Sequence, residues 1–367
     1  MTSKTAGSEE LVYHYTTQVG FKGIIESRCI WATNVAFLND YSEFQHGTQV
    51  IREEVAQLQI PPEVLISTGI APTEVAVKLA QGIISGNVQM HLKDYKPLAY
   101  VTSFFETPAV VSESSTVEAD PGDNLSQWRA YSHNGPGFSI GFRKNMLDEI
   151  VTPYLPAHPD VWTVTGSCIY QQKDKTSAVR KIVDALAPAF KFLLRPEMQE
   201  FFLSTSGEFV AKPPSEARIA QLVDAAFDKL HKNSEFRSQY PEYDEVFRNF
   251  VGELMVRPAL MKHSAFEAEH EWRIVRFSTQ PTKTEFRMGP VGLVPYVRIP
   301  LGETDGTILK RLISRVVLGP NVAFSSADKE RVLLSTKLFL EKNGLEVQRP
   351  GMEGGSLVEL STIPYRS

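Results

Sequence analysis

Two glutamates in the C-terminal third of the chain, Glu269 and Glu271, precede a stretch that becomes apolar and β-branched. If this stretch is a strand, both glutamates share one face with Arg273, because side chains alternate along a strand. A charged face on an apolar strand costs desolvation free energy unless a partner or ligand compensates it. Glu271 is therefore the first candidate for a catalytic carboxylate, with Glu269 beside it. The alternative is a solvated face whose carboxylates pair with nearby arginines.

A histidine between two tyrosines lies early in the chain, in the sequence Tyr13-His14-Tyr15-Thr16. An imidazole can donate a hydrogen bond to a ribose hydroxyl, and a tyrosine ring can stack on a flat heterocycle. The segment is therefore a candidate ligand-binding strand end. The alternative is a half-buried histidine that bonds to the backbone.

Three groups that can ligate a metal, Asp40, Glu43 and His46, follow one another at intervals of three residues. On a helix this spacing places them on roughly one face, where they could form a metal site. Asp40 and Glu43 also have the spacing of a capping box, which needs no metal. The capping interpretation is the simpler of the two.

A third group combines stacking and phosphate-binding side chains in the segment Leu125-Ser126-Gln127-Trp128-Arg129-Ala130-Tyr131. Trp128 and Tyr131 offer aromatic surface, and the guanidinium of Arg129 can bind a phosphate through two parallel hydrogen bonds. The alternative places Trp128 in the core and pairs Arg129 with a carboxylate. A long polar loop, 107–124, precedes the segment, and loops of that length are often functional.

The elements that must position these groups alternate between strands and helices without a regular β-α-β rhythm, which predicts an α+β fold. Residues 1–10 are polar and small, so we expect a disordered N-terminus followed by one elaborated domain over 11–367. A helical insertion is predicted at about 173–262. The expected strands are 11–15, 29–33, 98–105, 138–142, 161–170, the stretch after Glu269, 291–299, 315–319, 345–348 and 357–361. The expected helices are 16–27, 40–58, 73–95, 125–131, 173–194, 216–232, 243–261 and 325–343, and 195–215 is predicted to be a loop.

The composition narrows the class of protein. The 367 residues are 42% hydrophobic and 22% charged, which is ordinary for a globular chain. The net charge of -5 excludes a basic field over the whole molecule for nucleic acid. Two cysteines predict no disulfide framework, which favours a reducing cytoplasm. No apolar run approaches the roughly 18 residues that cross a bilayer, so no membrane association is expected.

Taken in order, these pieces resemble the DUF2971 family of bacterial proteins, whose name records no function. The resemblance spans nearly the whole chain except the helical block around 173–260. The matching pieces are Tyr13-His14-Tyr15-Thr16, Trp31-Ala32-Thr33, Leu38-Asn39-Asp40 with Glu43-Phe44, Leu125-Ser126-Gln127-Trp128-Arg129-Ala130-Tyr131, Gly137-Phe138-Ser139-Ile140-Gly141-Phe142, Glu271-Trp272-Arg273 and Ile363-Pro364-Tyr365-Arg366.

The same order is similar to the ADP-ribosyltransferase superfamily, which includes DNA-modifying toxins. That similarity implies an ADP-ribosyltransferase-like split β-sheet core with a helical insertion. It assigns His14 to the early-strand position and Glu271 to the late-strand position, with Glu269 giving a Glu-x-Glu form. The middle position is left open among Tyr131, Phe138 and Ser139.

The resemblance implies NAD as the reactant and cleavage of its nicotinamide–ribose bond, either to modify an acceptor or to hydrolyse NAD. A carboxylate near the ribose would stabilise the oxocarbenium-like transition state. Nucleotide-binding roles then follow for His14, Tyr15, Thr16, Trp31, Trp128, Arg129, Tyr131 and Arg273, and no metal is required.

A toxin or anti-phage role is implied, with a nucleic acid or protein acceptor and an antitoxin or inhibitor as partners. Two other classes remain open. One is a metal-dependent hydrolase or nuclease built on Asp40, Glu43, His46 and the Glu269/Glu271 pair. The other is a sensor that binds a nucleotide without catalysis.

Overall fold

The chain forms two compact units in a computed structural model. The first unit comprises residues 1–38, 100–168 and 265–367, and the second comprises 39–99 and 169–264. The structure describes residues 10–38, 41–57, 74–93, 99–107, 120–132, 137–152, 161–184, 187–203, 215, 217–218, 220–225, 238–241, 252–254, 256–278, 283–289, 292–302, 306–320, 325–347 and 356–364. The predicted disordered N-terminus therefore lies almost entirely outside the described residues. The predictions of one domain over 11–367 and of an insertion at 173–262 stay predictions.

The described residues contain both strands and helices. The strands are β1 Leu11–Thr16, β2 Cys29–Asn34, β3 Ala99–Glu106, β4 Phe138–Arg143, β5 Val161–Ser167, β6 Glu271–Ser278, β7 Glu285–Met288, β8 Leu293–Pro300, β9 Ile313–Leu318 and β10 Val358–Leu360. The α-helices are α1 Gln18–Ser27, α2 Tyr41–Ala56, α3 Glu74–Lys93, α4 Leu125–Tyr131, α5 Lys144–Val151, α6 Gln172–Asp184, α7 Ala187–Leu193, α8 Pro196–Leu203, α9 Thr307–Leu312 and α10 Ser326–Lys342. Short 3-10 helices cover Val35–Phe37, Arg257–Leu260 and Ser264–Glu269.

The first unit is built on one large, open, mostly antiparallel sheet. Eight of its ten strands run in the order β10-β9-β4-β1-β3-β2-β8-β7, and the other two branch from this path, with β6 pairing with both β3 and β5. The β10–β9 pair is parallel. The predicted mixture of strands and helices is therefore confirmed at the level of a mixed α/β chain with an open antiparallel sheet.

Alternation along β1 divides the hydrophobic side chains between two clusters. Val12 packs in a large cluster with Ile140 and Phe142. Tyr13 and Tyr15 point the other way, into a smaller cluster that contains Phe105, Trp128 and Val317. Because both faces of β1 are buried, its register is tightly specified, and a slip of one residue would exchange the two sets.

The turn after β1 is set by local chemistry. Thr17 caps α1 by accepting a hydrogen bond from the Gly20 backbone N–H at 3.2 Å. Arg28 ends the helix in the left-handed conformation, with a φ of 52°. These end signals agree with the predicted helix over 16–27.

The second unit is mostly helical where it is described, with an isolated parallel bridge between Ile169 and Met261. The side chains of Val50, Ile51 and Val55 on α2 are buried, as are those of Leu79 and Ile83 on α3. Residues 169–175 are tied to the 3-10 helix at 257–260, since the Ile169 N–H donates to the Leu260 carbonyl at 2.7 Å. Helix α2 approaches the same 3-10 helix closely, because a Cβ built on Gly47 would lie 2.2 Å from the Pro258 carbonyl oxygen.

Several predictions of elements were wrong. Pro196–Leu203 is helical, although 195–215 was predicted to be a loop. The predicted helix at 243–261 ends as a 3-10 helix, because Pro258 lacks the N–H that a continuing α-helix needs. Residues 345–347 form no strand, and β7 was not predicted at all.

No α-helix among the described residues is both long enough and apolar enough to span a bilayer.

Candidate functional site

Strands β1 and β3 separate immediately after Tyr13. They pair at Val12↔Glu106 and Tyr13↔Phe105, whereas the pairing of β1 with β4 continues to the end of β1. At the next residue, Nδ1 of His14 lies 3.0 Å from the Ser103 carbonyl oxygen. The imidazole therefore occupies the place where the backbone ladder between the two strands ends.

The tautomer of His14 follows from this contact. A carbonyl oxygen only accepts, so Nδ1 carries the proton, and Nε2 of the neutral ring is an acceptor. Burial lowers the pKa of His14, and the bond to the Ser103 carbonyl opposes this only in part. Within the described residues Nε2 has no hydrogen-bond partner, so it is available to accept from a ligand hydroxyl. This direction is the opposite of the predicted one, in which His14 donates to the ligand.

Glu271 begins β6, and its side chain is only 5% exposed. Its Oε2 accepts from Nε of Arg273 at 2.6 Å, and the Nη2 of the same guanidinium lies 2.5 Å away. The Ser103 hydroxyl approaches the same oxygen at 3.5 Å and the Cys168 thiol at 3.8 Å. The Tyr131 hydroxyl contacts the other oxygen, Oε1, at 3.4 Å.

The pair of Glu271 and Arg273 is buried on both sides. Two charges in a low-dielectric site repay their desolvation only with good geometry and further hydrogen bonds. Here both guanidinium contacts go to Oε2, whereas the contact at Oε1 is long. One carboxylate oxygen is therefore fixed by Arg273, and the other faces the weaker Tyr131 contact. The predicted alternative of a structural ion pair describes the first oxygen well.

The backbone turns sharply just before Glu271. Glu269 ends a 3-10 helix, and His270 has a φ of 40°, which is left-handed. The His270 carbonyl accepts from the Glu106 N–H at 2.8 Å, and the Glu271 carbonyl accepts from the Cys168 N–H at 2.7 Å. The predicted face shared by Glu269 and Glu271 is thus wrong, because β6 starts only at Glu271. Glu271 and Arg273 share one face of β6, as predicted.

Tyr15 and Trp128 are part of the smaller hydrophobic cluster. Their rings meet edge to face at 4.7 Å, and the Trp128 indole N–H donates to Asp123 at 2.8 Å. The Tyr15 hydroxyl donates to the Pro121 carbonyl at 2.7 Å and accepts from the Asn124 N–H at 2.9 Å. Trp128 is 2% exposed, so it matches the alternative of a core tryptophan.

Asp123 is a residue that the sequence analysis missed. Its carboxylate also accepts from the Ser361 hydroxyl at 2.6 Å and from the Thr362 N–H at 2.8 Å. It therefore joins the turn before α4 to the C-terminal segment. The only sequence signal was its position at the end of the polar loop, close to the helix cap Asn124.

Three other predicted residues lie at different places in the first unit. Thr16 is half-buried at the end of β1 and pairs with Phe138. Trp31 is partly buried against Tyr296, with the ring centroids 5.1 Å apart. Its indole N–H is buried and has no partner within the described residues. Arg129 is exposed on α4.

The middle position of the motif order has a further candidate on β3, besides Tyr131, Phe138 and Ser139. Tyr131 contacts Glu271. Phe138 instead stacks on Phe21 at 3.9 Å, and Ser139 is fully buried. Ser103, which was not predicted, contacts both His14 and Glu271. Its signal in the sequence is a small hydroxyl, next to that of Thr102, in a strand that is otherwise mostly aromatic or aliphatic.

The alternative metal site cannot be assembled from the described residues. Asp40 and the side chain of Glu43 lie outside them, and His46 contacts Lys175 through Nε2 at 2.8 Å. Within the part of the chain that is described, no group of three histidine, cysteine or acidic residues has the arrangement of a metal site.

A family model described as "Protein of unknown function (DUF2971)" matches residues 127–274. This range contains the segment at Trp128, the strand at Phe138 and the Glu271 motif, whereas the pieces at His14, Trp31 and Ile363 lie outside it. No curated protein and no solved structure matches the chain.

Proposed function

The description of the matching DUF2971 family model gives no activity, so we propose the function of this protein from its site. The protein cleaves the nicotinamide–ribose bond of NAD and either transfers ADP-ribose to a macromolecular acceptor or hydrolyses NAD. The sheet that branches at β3 corresponds, in this proposal, to the split core of ADP-ribosyltransferases. The resemblance in motif order supports this assignment.

One observation carries the proposal. Ser103 on β3 contacts the His14 imidazole through its carbonyl and the Glu271 carboxylate through its hydroxyl. A histidine from the first strand and an acid from a late strand are thus each one contact away from the same residue. The motif order of the superfamily requires that these two residues come together. Residues with unrelated structural roles have no such requirement.

The chemistry assigned to Glu271 is electrostatic. When the N-glycosidic bond breaks, its electron pair leaves with the neutral nicotinamide, and positive charge develops on the ribose. A preorganised carboxylate in a water-poor site stabilises that charge strongly. Arg273 fixes Oε2, so Oε1 is the oxygen assigned to the ribose. A nucleophile on the acceptor, or water, then attacks the ribose carbon and loses a proton.

The remaining residues bind the dinucleotide or position Glu271. His14 accepts a ribose hydroxyl through Nε2, and Ser103 and Tyr131 orient Glu271. Arg129 is exposed and is assigned to the pyrophosphate, whereas Arg273 is committed to Glu271. Tyr15 and Trp128 support the site from the buried cluster beneath α4.

The cellular role is proposed from the resemblance alone. It is that of a bacterial, cytoplasmic toxin or anti-phage effector, with a nucleic acid or protein as acceptor and an antitoxin or inhibitor as partner. The net charge of -5 favours an acceptor recognised at a single base or side chain over a long duplex.

Nicotinamide release from NAD tests the proposal, with Glu271→Gln as the variant. Glutamine keeps the size and removes the charge, so we expect release to fall by at least about 10²-fold, as when one transition-state stabiliser is removed. Glu269→Gln is the matched control, because it makes the same change two residues away and off β6. That control should retain activity, and thermal unfolding should show that both variants fold.

The other classes give different results in the same assay. A sensor would bind NAD without releasing nicotinamide. A metal-dependent hydrolase would lose activity with a chelator and recover it when metal is restored. Equal losses in the two variants would contradict the assignment of Glu271.

A further inference from the structure

A buried lysine in the second unit contacts a histidine. Lys175 lies in the first turn of α6, and its side chain is 2% exposed. Its Nζ is 2.8 Å from Nε2 of His46 on α2. The His46 ring is in turn 5.8 Å from the ring of His263, at a steep angle. The Lys175 amine and the imidazoles of His46 and His263 therefore form a series of neighbouring groups on three separate segments.

The scaffold around these groups is closely packed. Gly47, next to His46, lies against the backbone at Pro258, where a larger residue would collide. Residue 169, just before α6, is bonded on both sides to the segment that leads to His263: its N–H donates to the Leu260 carbonyl, and its carbonyl accepts from the Lys262 N–H. The lysine–histidine contact is therefore held by backbone structure on all three segments, as a preorganised pair requires.

The electrostatic surroundings favour an uncharged amine. Burial lowers the pKa of Lys175. Burial also lowers the pKa of His46, and the nearby Lys175 and His263 lower it further, whereas Glu53 opposes them. Within the described residues, no carboxylate pairs with the Lys175 amine. A desolvated lysine beside another basic group is the usual way to make an amine nucleophilic near neutral pH.

We propose that Lys175 is a nucleophilic amine that forms an imine with an aldehyde-bearing ligand, with His46 as its proton acceptor. The amine nitrogen attacks the aldehyde carbon, the carbonyl electron pair moves to oxygen, and His46 takes the proton that the nitrogen loses. Returning that proton to the oxygen gives a carbinolamine. Loss of the hydroxyl with a proton, as one water, leaves the carbon–nitrogen double bond. The His263 side chain is exposed, so this end of the series of amine and imidazole groups faces solvent.

Pyridoxal 5′-phosphate, followed by borohydride reduction and peptide mass mapping, tests this on the whole folded chain. A lower pKa raises the free-amine fraction near neutral pH, so we expect Lys175 to be labelled faster than a solvated lysine. Lys22, whose side chain is 64% exposed, is the solvated reference. Lys262 is the buried reference, at 1% exposure.

Two variants separate nucleophilicity from a structural role. His46→Gln should slow labelling of Lys175, because it removes the proton acceptor, while Lys22 is labelled as before. Lys262→Met should leave labelling of Lys175 unchanged. Labelling of Lys175 that is no faster than that of Lys22, or that occurs only after unfolding, would overturn the proposal and leave the pair as a packing contact. The assay contains no NAD, so its outcome is independent of the proposed activity at Glu271.

Discussion

At the scale of single residues, the chemistry of the site depends on which side-chain atoms already have hydrogen-bond partners within the protein. The pattern Glu-His-Glu-Trp-Arg indicated a charged face, and the structure narrows it to Glu271 and Arg273. The two oxygens of the carboxylate have different neighbours, because Nε and Nη2 of Arg273 contact Oε2 and the Tyr131 hydroxyl contacts Oε1. Sequence patterns identify the carboxylate but not this difference, which depends on Ser103 and Tyr131 from distant segments.

His14 gives a pH-dependent prediction. Its folded pKa lies below its usual value of 6.5, mainly because of burial. The folded state thus binds this proton less readily than the unfolded state does. The stability associated with His14 is fully present above pH 6.5 and is lost as the pH falls from there through the folded pKa.

The measurement is the free energy of unfolding by denaturant at several pH values between about 7.5 and about 5.5. We expect wild type to lose more stability across this range than His14→Gln, which cannot titrate. His46 also has a lowered pKa, but it is present in both proteins and cancels in the comparison. Parallel curves for the two proteins would contradict a neutral, buried His14.

At the scale of elements, the site exists because two strands stop pairing. Strands β1 and β3 share backbone pairs only at Val12↔Glu106 and Tyr13↔Phe105, and His14 fills the gap that follows. Sequence patterns predicted β1, β3 and β4 closely, since each strand carries hydrophobic side chains that are mostly buried. The separation of β1 from β3 has no local signal, because it depends on strand order.

The limits of sequence reasoning are clearest at the start of β6. Glu269 and Glu271 fit the same period-two pattern, yet only Glu271 is on the strand. A left-handed residue between them decides this, and histidine adopts that conformation more often than most non-glycine residues but still too rarely to predict it. The edge strand β7 was missed for a different reason: its Phe286 and Met288 side chains are exposed, so it has no buried face.

The left-handed backbone at His270 gives an element-scale prediction. Asparagine tolerates this conformation, whereas a β-branched residue is strongly disfavoured there. We expect His270→Asn to leave stability nearly unchanged and His270→Val to lower it by about 1–3 kcal/mol, the usual cost of such backbone strain. Denaturant unfolding measures both variants.

Nicotinamide release by the same two variants tests whether the turn positions Glu271. We expect activity to fall in His270→Val and to be kept in His270→Asn. Full activity in a destabilised His270→Val protein would show that the turn contributes to folding alone.

At the scale of the whole molecule, the chain is organised by contacts between distant segments. Three separate stretches form the first unit and two form the second. The composition and element types predicted a mixed fold, but neither predicts which stretches come together. The shared contact of His14 and Glu271 with Ser103 is a product of this long-range arrangement.

A crystal structure of Glu271→Gln with NAD bound measures the central claim most directly, because slow turnover preserves the dinucleotide. We expect the nicotinamide-side ribose beside residue 271 and a ribose hydroxyl within hydrogen-bond distance of Nε2 of His14. Dinucleotide density far from both side chains would contradict the account.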